Sequence, residues 1–287
     1  MSSFAPRTAY VFAGGGSLGA VEVGMLRALT EHGLLPDLVV GCSAGAINAA
    51  YYAGDPSAEG VARLDGLWRG LTRSQVMPMR LRDVLRIILR RDHVVDPTAL
   101  RRLLQRHLPY QRLEQAPIPV HVVATDMVLG SEVLLSAGPV VDAVLASTAI
   151  PGVFPPVCID DRELIDGGVA NNTPISAALR LGAKRVVVLP TGFSCALKRI
   201  PRDAIGRAMH ALSILITRQL VNDIERFSAQ VALYVVPPLC PVDCSPYDYS
   251  GCAMLIDRAA AETREWIRQG GLDNASRVPA QMVDHHH

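Results

Sequence analysis

Short runs of β-branched and aliphatic residues alternate along the chain with longer stretches in which apolar residues return every three or four positions. The short runs predict strands at Thr8–Phe12, Leu38–Val40, Val120–Ala124, Val133–Leu135, Glu163–Ile165, Val186–Leu189 and Leu233–Val236. Several, such as DLVV and RVVVL, are almost wholly apolar, the pattern of central strands covered on both faces. A helix predicted from Gly19 to His32 stops at Gly33 with Pro36 just beyond, and a second runs from Ala44 to Ala53 before GDPS. NNTP at 171–174 offers a capping residue and a proline for a first helical position. Ile205, Met209, Leu212, Ile216, Leu220, Ile224 and Phe227 follow a helical period and predict one long helix. This alternation argues for an α/β fold, a three-layer sandwich with a mostly parallel central sheet and helices on both faces. The stretch from Pro56 to Gln115 departs from it: it reads as helices with almost no strand signal, a helical insertion at about 56–115. With no internal repeat or low-complexity linker, residues 1–282 read as a single domain, and 283–287, ending in three histidines, as a tag remnant.

Composition sharpens this picture in two places. Of the 287 residues 49% are hydrophobic and 19% charged, as in a packed globular protein rather than a disordered one. The net charge of +1 hides a local excess: twelve arginines against four aspartates between Arg63 and Arg112, so +8 there and −7 elsewhere. The chain as a whole is therefore no nucleic-acid binder by charge. Within the basic segment Leu81, Val84, Leu85, Ile88 and Leu89 form one apolar stripe, while Arg82, Arg86 and Arg90 recur every four residues. That is the pattern of an amphipathic helix in peripheral contact with an anionic membrane, and equally of a helix packed on the body with its arginines in water. No run approaches the roughly 18 apolar residues of a transmembrane segment, and MSSFAPRTAY has neither the basic nor the apolar region of a secretory leader. Six scattered cysteines fit reduced thiols, so the expected location is cytoplasmic, with peripheral membrane contact as its extension.

Three stretches could carry chemistry. The second strand runs into Gly41-Cys42-Ser43-Ala44-Gly45, the G-x-S-x-G pattern, with strand before and helix after as a nucleophile elbow requires. A serine needs a base, and the downstream histidines are poorly placed: His93 and His107 lie in the arginine-rich segment, His121 inside an apolar strand, His210 on the long helix. Asp166 closes a short strand and precedes Gly167 and Gly168, which places a carboxylate at the carboxyl edge of the sheet or simply makes a turn. The first strand ends in Gly14-Gly15-Gly16-Ser17, and Gly14, Gly16 and Gly19 fit the G-x-G-x-x-G spacing of a dinucleotide loop. The acidic residue such a loop wants after the second strand is missing; Asp37 stands at that strand's other end. Cys240, Cys244 and Cys252 lack an obvious fourth zinc ligand and read as free thiols.

Taken together, the glycine loop, GCSAGAINAA, ASTAIPGVFPPV at 146–157 and DGGVANNTP at 166–174 resemble the patatin-like phospholipases, in the right order over roughly residues 8–190. The resemblance implies a patatin-like fold and a serine–aspartate dyad without histidine, Ser43 as nucleophile and Asp166 as base. It makes Gly14, Gly15, Gly16 and Ser17 an oxyanion hole, Gly41 and Gly45 the elbow glycines, and Gly167 and Gly168 supports of the aspartate. It implies a lipid or acyl-ester substrate, with no cofactor and no metal. Two positions depart from the family's habit: Leu18 stands where Arg or Lys is common, and Cys42 where Thr is frequent. Two other readings stay open on the sequence, a Ser–His hydrolase of small soluble esters and a non-catalytic module binding an anionic ligand.

Overall fold

A computed structural model describes residues 7–77, 95–192, 204–240, 242 and 244–275. At its centre β1 (Thr8–Phe12), buried along its whole length, lies between β2 (Leu38–Cys42) and β7 (Arg185–Leu189) and runs parallel to both. The parallel part continues through β3 (Val120–Asp126) beside β2 and β8 (Ala232–Val235) beside β7. Three strands join antiparallel: β4 (Glu132–Leu135) and β6 (Arg162–Asp166) on β3, and β5 (Val157–Ile159) on β6. The turn between β5 and β6 is Asp160-Asp161, both at positive φ (50° and 59°), as a two-residue hairpin demands. Asp37 anchors the first parallel pair: its N–H donates to the Thr8 carbonyl at 2.7 Å, and its carboxylate accepts the Thr8 N–H at 2.6 Å.

Alternate side chains of the strands enter two separate cores, as a period of two requires. Tyr10, Phe12, Val39, Val122, Val187 and Leu189 face α1 (Gly19–Glu31), α2 (Ala44–Gly54), α3 (Ala58–Gly70) and α10 (Cys252–Arg268). Ala9, Val11, Val40, Val186, Val188 and Leu233 face α8 (Ile175–Arg180) and α9 (Ala204–Phe227). The chain is thus the α/β three-layer sandwich expected from the alternation. The remaining helices among the described residues are α4 (Arg73–Val76), α5 (Thr98–His107), α6 (Val140–Ser147) and α7 (Gly168–Asn171).

Within 56–115 the described residues form helices without a strand, yet Leu64, Trp68, Leu100 and Leu104 are buried in the same core as Tyr10 and Phe12. The segment packs into the body rather than standing off it. Arg82, Arg86 and Arg90 lie outside the described residues. Pro174 stands one position before the first helical residue of α8 rather than at it, and no side chain caps that helix. None of the described helices is long and apolar enough to cross a membrane.

The register along β3 positions the site. Val120–Val123 pair with Val39–Cys42 of β2, while Ala124–Asp126 pair with Asp166–Leu164 of β6. β4 pairs with Val122–Thr125, and a strand residue has one partner on each edge. β4 therefore holds one edge of β3, and β2 and β6 share the other. Since β2 runs with β3 and β6 against it, their carboxyl ends meet head-on: Cys42 lies opposite Val123 and Asp166 opposite Ala124.

Candidate active site

Ser43 is the residue after Cys42, and the chain must turn there from β2 straight into α2. It does so with Ser43 at φ 52° and ψ −122°, a conformation unfavourable for any side chain but glycine. Crowding on the flanks explains the glycines. A Cβ on Gly45 would sit 2.6 Å from main-chain atoms of Phe12 and Ala13, and one on Gly41 2.5 Å from the Gly45 carbonyl oxygen. The turned backbone is clamped from α6: the Ser43 N–H donates to Ser147 Oγ at 2.8 Å, and that hydroxyl donates to the Val123 carbonyl at 2.5 Å.

The head-on meeting of β2 and β6 sets Ser43 against Asp166. Ser43 Oγ donates to Asp166 Oδ2 at 2.6 Å, and the other carboxylate oxygen accepts the Gly168 N–H at 2.8 Å. Thr125 fixes the aspartate backbone by donating to its carbonyl at 2.9 Å. Gly167 lets β6 close up on β3, since a Cβ there would lie 2.2 Å from the Val123 carbonyl oxygen. Ser43 and Asp166 are 8% and 7% exposed, so the pair is nearly removed from water. No cation pairs with Asp166 among the described residues; burial pushes its pKa up from 3.8 to about 6, against the pull of the Ser43 and Gly168 bonds.

The glycine loop passes beside this pair: a Cβ on Gly14 would come within 3.1 Å of the Ser43 Cβ. Its four expected donors are not equivalent. The Gly14 N–H is spent on the Asn172 carbonyl at 3.0 Å and the Ser17 N–H on the Pro246 carbonyl at 2.8 Å. In this arrangement the N–H groups of Gly14 and Ser17 anchor the loop. The N–H groups of Gly15 and Gly16 have no acceptor among the described residues. Gly16 takes φ +59°, and a Cβ on it would strike the Pro246 carbonyl.

Several residues without a recognisable motif complete the site. Thr191 Oγ1 and Asn172 Nδ2 both donate to the Gly14 carbonyl, at 2.8 and 3.2 Å. Ser245 and Pro246 hold Ser17 from the far end of the chain, and beside them the Tyr247 phenol is raised by burial and then by the charge of Asp166. Behind the loop, Glu22 is fully buried; its Oε2 accepts from Asn48 Nδ2 at 2.7 Å, and Asn48 Oδ1 in turn accepts the Trp68 indole N–H at 2.8 Å. Burial drives this carboxyl well above its ordinary range, against the pull of the Asn48 bond and the Ala13 backbone.

Other candidates lie elsewhere or serve structure. His121 is on β3 with its Nδ1 bonded to Ser136 Oγ at 2.7 Å, His107 ends α5, and His93 lies outside the described residues. Cys42 is buried beside the dyad, with its thiol pushed up by burial and by nearby Asp166. Cys240, Cys244 and Cys252 form no disulfide among the described residues, where no group of side chains is placed to hold a metal either.

A family model described as "Patatin-like phospholipase" matches residues 10–179, a span that holds the glycine loop, Ser43 and Asp166. The chain is 31% identical over 186 residues to human patatin-like phospholipase domain-containing protein 6, covering 64% of this chain and 13% of that protein. It is 31% identical over 191 residues to an "Uncharacterized NTE family protein" of Mycobacterium tuberculosis (strain ATCC 25618 / H37Rv), covering 65% of this chain and 49% of that one. The chain thus spans about half or less of these relatives. Among solved structures VipD from Legionella pneumophila shares the fold, with a TM-score of 0.51 over 92% of this chain and 67% of that one at 14% identity.

Proposed function

Because the chain belongs to the patatin-like phospholipase family, we propose that it is a serine acyl hydrolase that cleaves carboxylic esters of lipids through Ser43 and Asp166. The observation that carries this reading is the 2.6 Å bond from Ser43 Oγ to a buried carboxylate that has no cationic partner among the described residues. An aspartate at its usual pKa of about 3.9 would be a feeble base near neutrality. Raised to about 6, Asp166 is still ionised at pH 7 and far better matched to taking the serine proton.

In this mechanism Ser43 Oγ attacks the ester carbonyl while its proton passes to Asp166 Oδ2. The carbonyl oxygen becomes an oxyanion, which we assign to the free N–H groups of Gly15 and Gly16. The amino end of α2, which begins at the residue after Ser43, adds its positive pole. Asp166 returns the proton to the departing alcohol or lysolipid as the carbon–oxygen bond breaks, leaving an acyl-serine. Water, deprotonated by Asp166, then adds to the acyl carbonyl; release of the fatty acid returns the proton to Ser43. The described histidine side chains make no bond to Ser43, which supports Asp166 rather than an imidazole as base.

The test is hydrolysis of a p-nitrophenyl acyl ester series and of phospholipid vesicles by the wild type, Ser43→Ala and Asp166→Ala. Loss of activity in both variants, with unchanged circular dichroism, is expected, and the preferred substrate then names the subclass. An inactive Ser43→Ala beside an active Asp166→Ala would hand the base to another group. A wild type that hydrolyses nothing would return the glycine loop to a ligand-binding role.

A further inference from the structure

The turn joining β3 to β4 breaks a simple rule. Turns exposed to water are built from Gly, Pro, Asn, Asp and Ser, yet this one carries Met127, Val128 and Leu129, exposed by 57%, 84% and 75%. It is firmly made. Buried Asp126 accepts the N–H groups of Val128 and Leu129 on one carboxylate oxygen, both at 2.9 Å, and the Gly130 N–H on its carbonyl at 2.8 Å. Met127 N–H donates to the Glu163 carbonyl of β6. Three consecutive apolar side chains are thus held out into solvent by a built scaffold.

Their neighbours share the character. The turn leaves the carboxyl end of β3, two residues beyond Ala124, which pairs with Asp166. Helix α7 follows Asp166 directly and is tied to the same strand end through Ala170 N–H and Thr125 Oγ1 at 3.2 Å; next to Ala170, Val169 is 55% exposed. The Ala170 carbonyl accepts from Gln219 of α9, and one helical turn before Gln219 stands Leu215, 66% exposed, with Ile214 beside it. Of the eight exposed large apolar residues among the described residues, six therefore lie on three elements hydrogen-bonded together around the dyad.

We propose that Met127, Val128, Leu129, Val169, Ile214 and Leu215 form an apolar rim that seats the Ser43–Asp166 site on the acyl layer of a lipid aggregate. The proposal rests on the acyl-hydrolase reading above and adds the surface that the substrate is drawn from. The occupant is lipid rather than protein because the rim is continuous with the dyad: Val169 is three residues from the base, so whatever covers the rim also delivers acyl chains to Ser43. A protein lid on the same residues would shut the site.

The experiment uses the full chain with Ser43→Ala, so that binding is read without turnover, and flotation with phosphatidylcholine vesicles. The double substitution Val128→Asp, Leu129→Asp, at solvent-exposed turn positions, should lower the partition coefficient about tenfold or more, since two apolar side chains no longer leave water. Binding by the parent should change little between low and high salt. On the Ser43-intact background the same double substitution should leave hydrolysis of p-nitrophenyl butyrate unchanged while vesicle hydrolysis falls by the same factor. Equal flotation with and without the aspartates would overturn the rim. Self-association of the parent that the aspartates abolish, without flotation, would also overturn it and give the face to a second copy. A wild type that floats yet cleaves no ester would instead count against the hydrolase reading and leave the rim standing.

Discussion

Replacing Asp166 by Asn should make the protein more stable as it makes it inactive. The side chain is nearly isosteric: its oxygen can keep the Gly168 N–H, and its amide can donate to Ser43 Oγ. What disappears is a buried negative charge with no cationic partner among the described residues. The folded pKa lies above the unfolded one, so between about pH 4 and pH 6 the unfolded chain releases its proton while the folded chain holds it. Folding stability of the wild type is therefore lost as pH rises through that window and levels off above it. Moving a carboxyl from 3.8 to about 6 is worth about 3 kcal/mol. Urea denaturation of wild type and Asp166→Asn at half-unit steps from pH 4 to pH 8 measures the difference directly. The advantage of the variant should grow by about 2 kcal/mol from pH 4 to pH 7 and then stay nearly flat. Any constant offset reflects the exchanged hydrogen bonds and does not bear on the charge. A difference that does not change with pH, or one that shrinks toward neutrality, would refute the argument that burial holds this carboxyl up.

Three further outcomes follow from other contacts. In the wild type kcat/KM for a soluble ester should fall below an apparent pKa near 6, because Asp166 must be ionised to take the proton; a flat profile from pH 5 to 8 with the fold intact would remove it as base. Ser147→Ala leaves both the Ser43 N–H and the Val123 carbonyl without their shared partner, so it should cost about 1–3 kcal/mol in denaturation and lower kcat more than it raises KM. Glu22→Gln removes a buried carboxyl whose folded pKa is raised, and its stabilising effect should increase as pH climbs above the ordinary glutamate range; equal stability gains at pH 4.5 and pH 8, read by the same titrations, would show that Glu22 is not held neutral by burial.

The sheet was readable because its central strands are apolar on both faces, and the elbow because its glycines and serine are adjacent in sequence. Edges were less so. Asp126 and Asp166 belong to strands although they are polar, since they stand where the sheet opens onto the site, and Arg162 because it follows the β5–β6 turn and pairs with Ile159. β5 and α7, of three and four residues, are too short for periodicity to register. The division of labour in the glycine loop had no local signal at all. Which of four neighbouring N–H groups stays free depends on the carbonyls of Asn172 and Pro246, brought back from far along the chain. Ser147 carried its hint inside ASTAIPGVF, but only the register of α6 against β2 shows that its hydroxyl serves both the elbow and β3.

The shared edge of β3 has a consequence for how this chemistry can be modified. Ser43 and Asp166 are 123 positions apart in the chain, yet Cys42, the residue before Ser43, and Asp166 itself pair with the same strand at consecutive rungs. Their spacing rests on the peptide repeat of that central strand and on the clamped turn at Ser43. Exposed turns remote from β3, such as residues 228–230 before β8, can then be lengthened or exchanged while the separation of Ser43 and Asp166 stays where β3 put it. Grafting campaigns on this scaffold should treat β3 as the ruler and leave its pairing partners untouched.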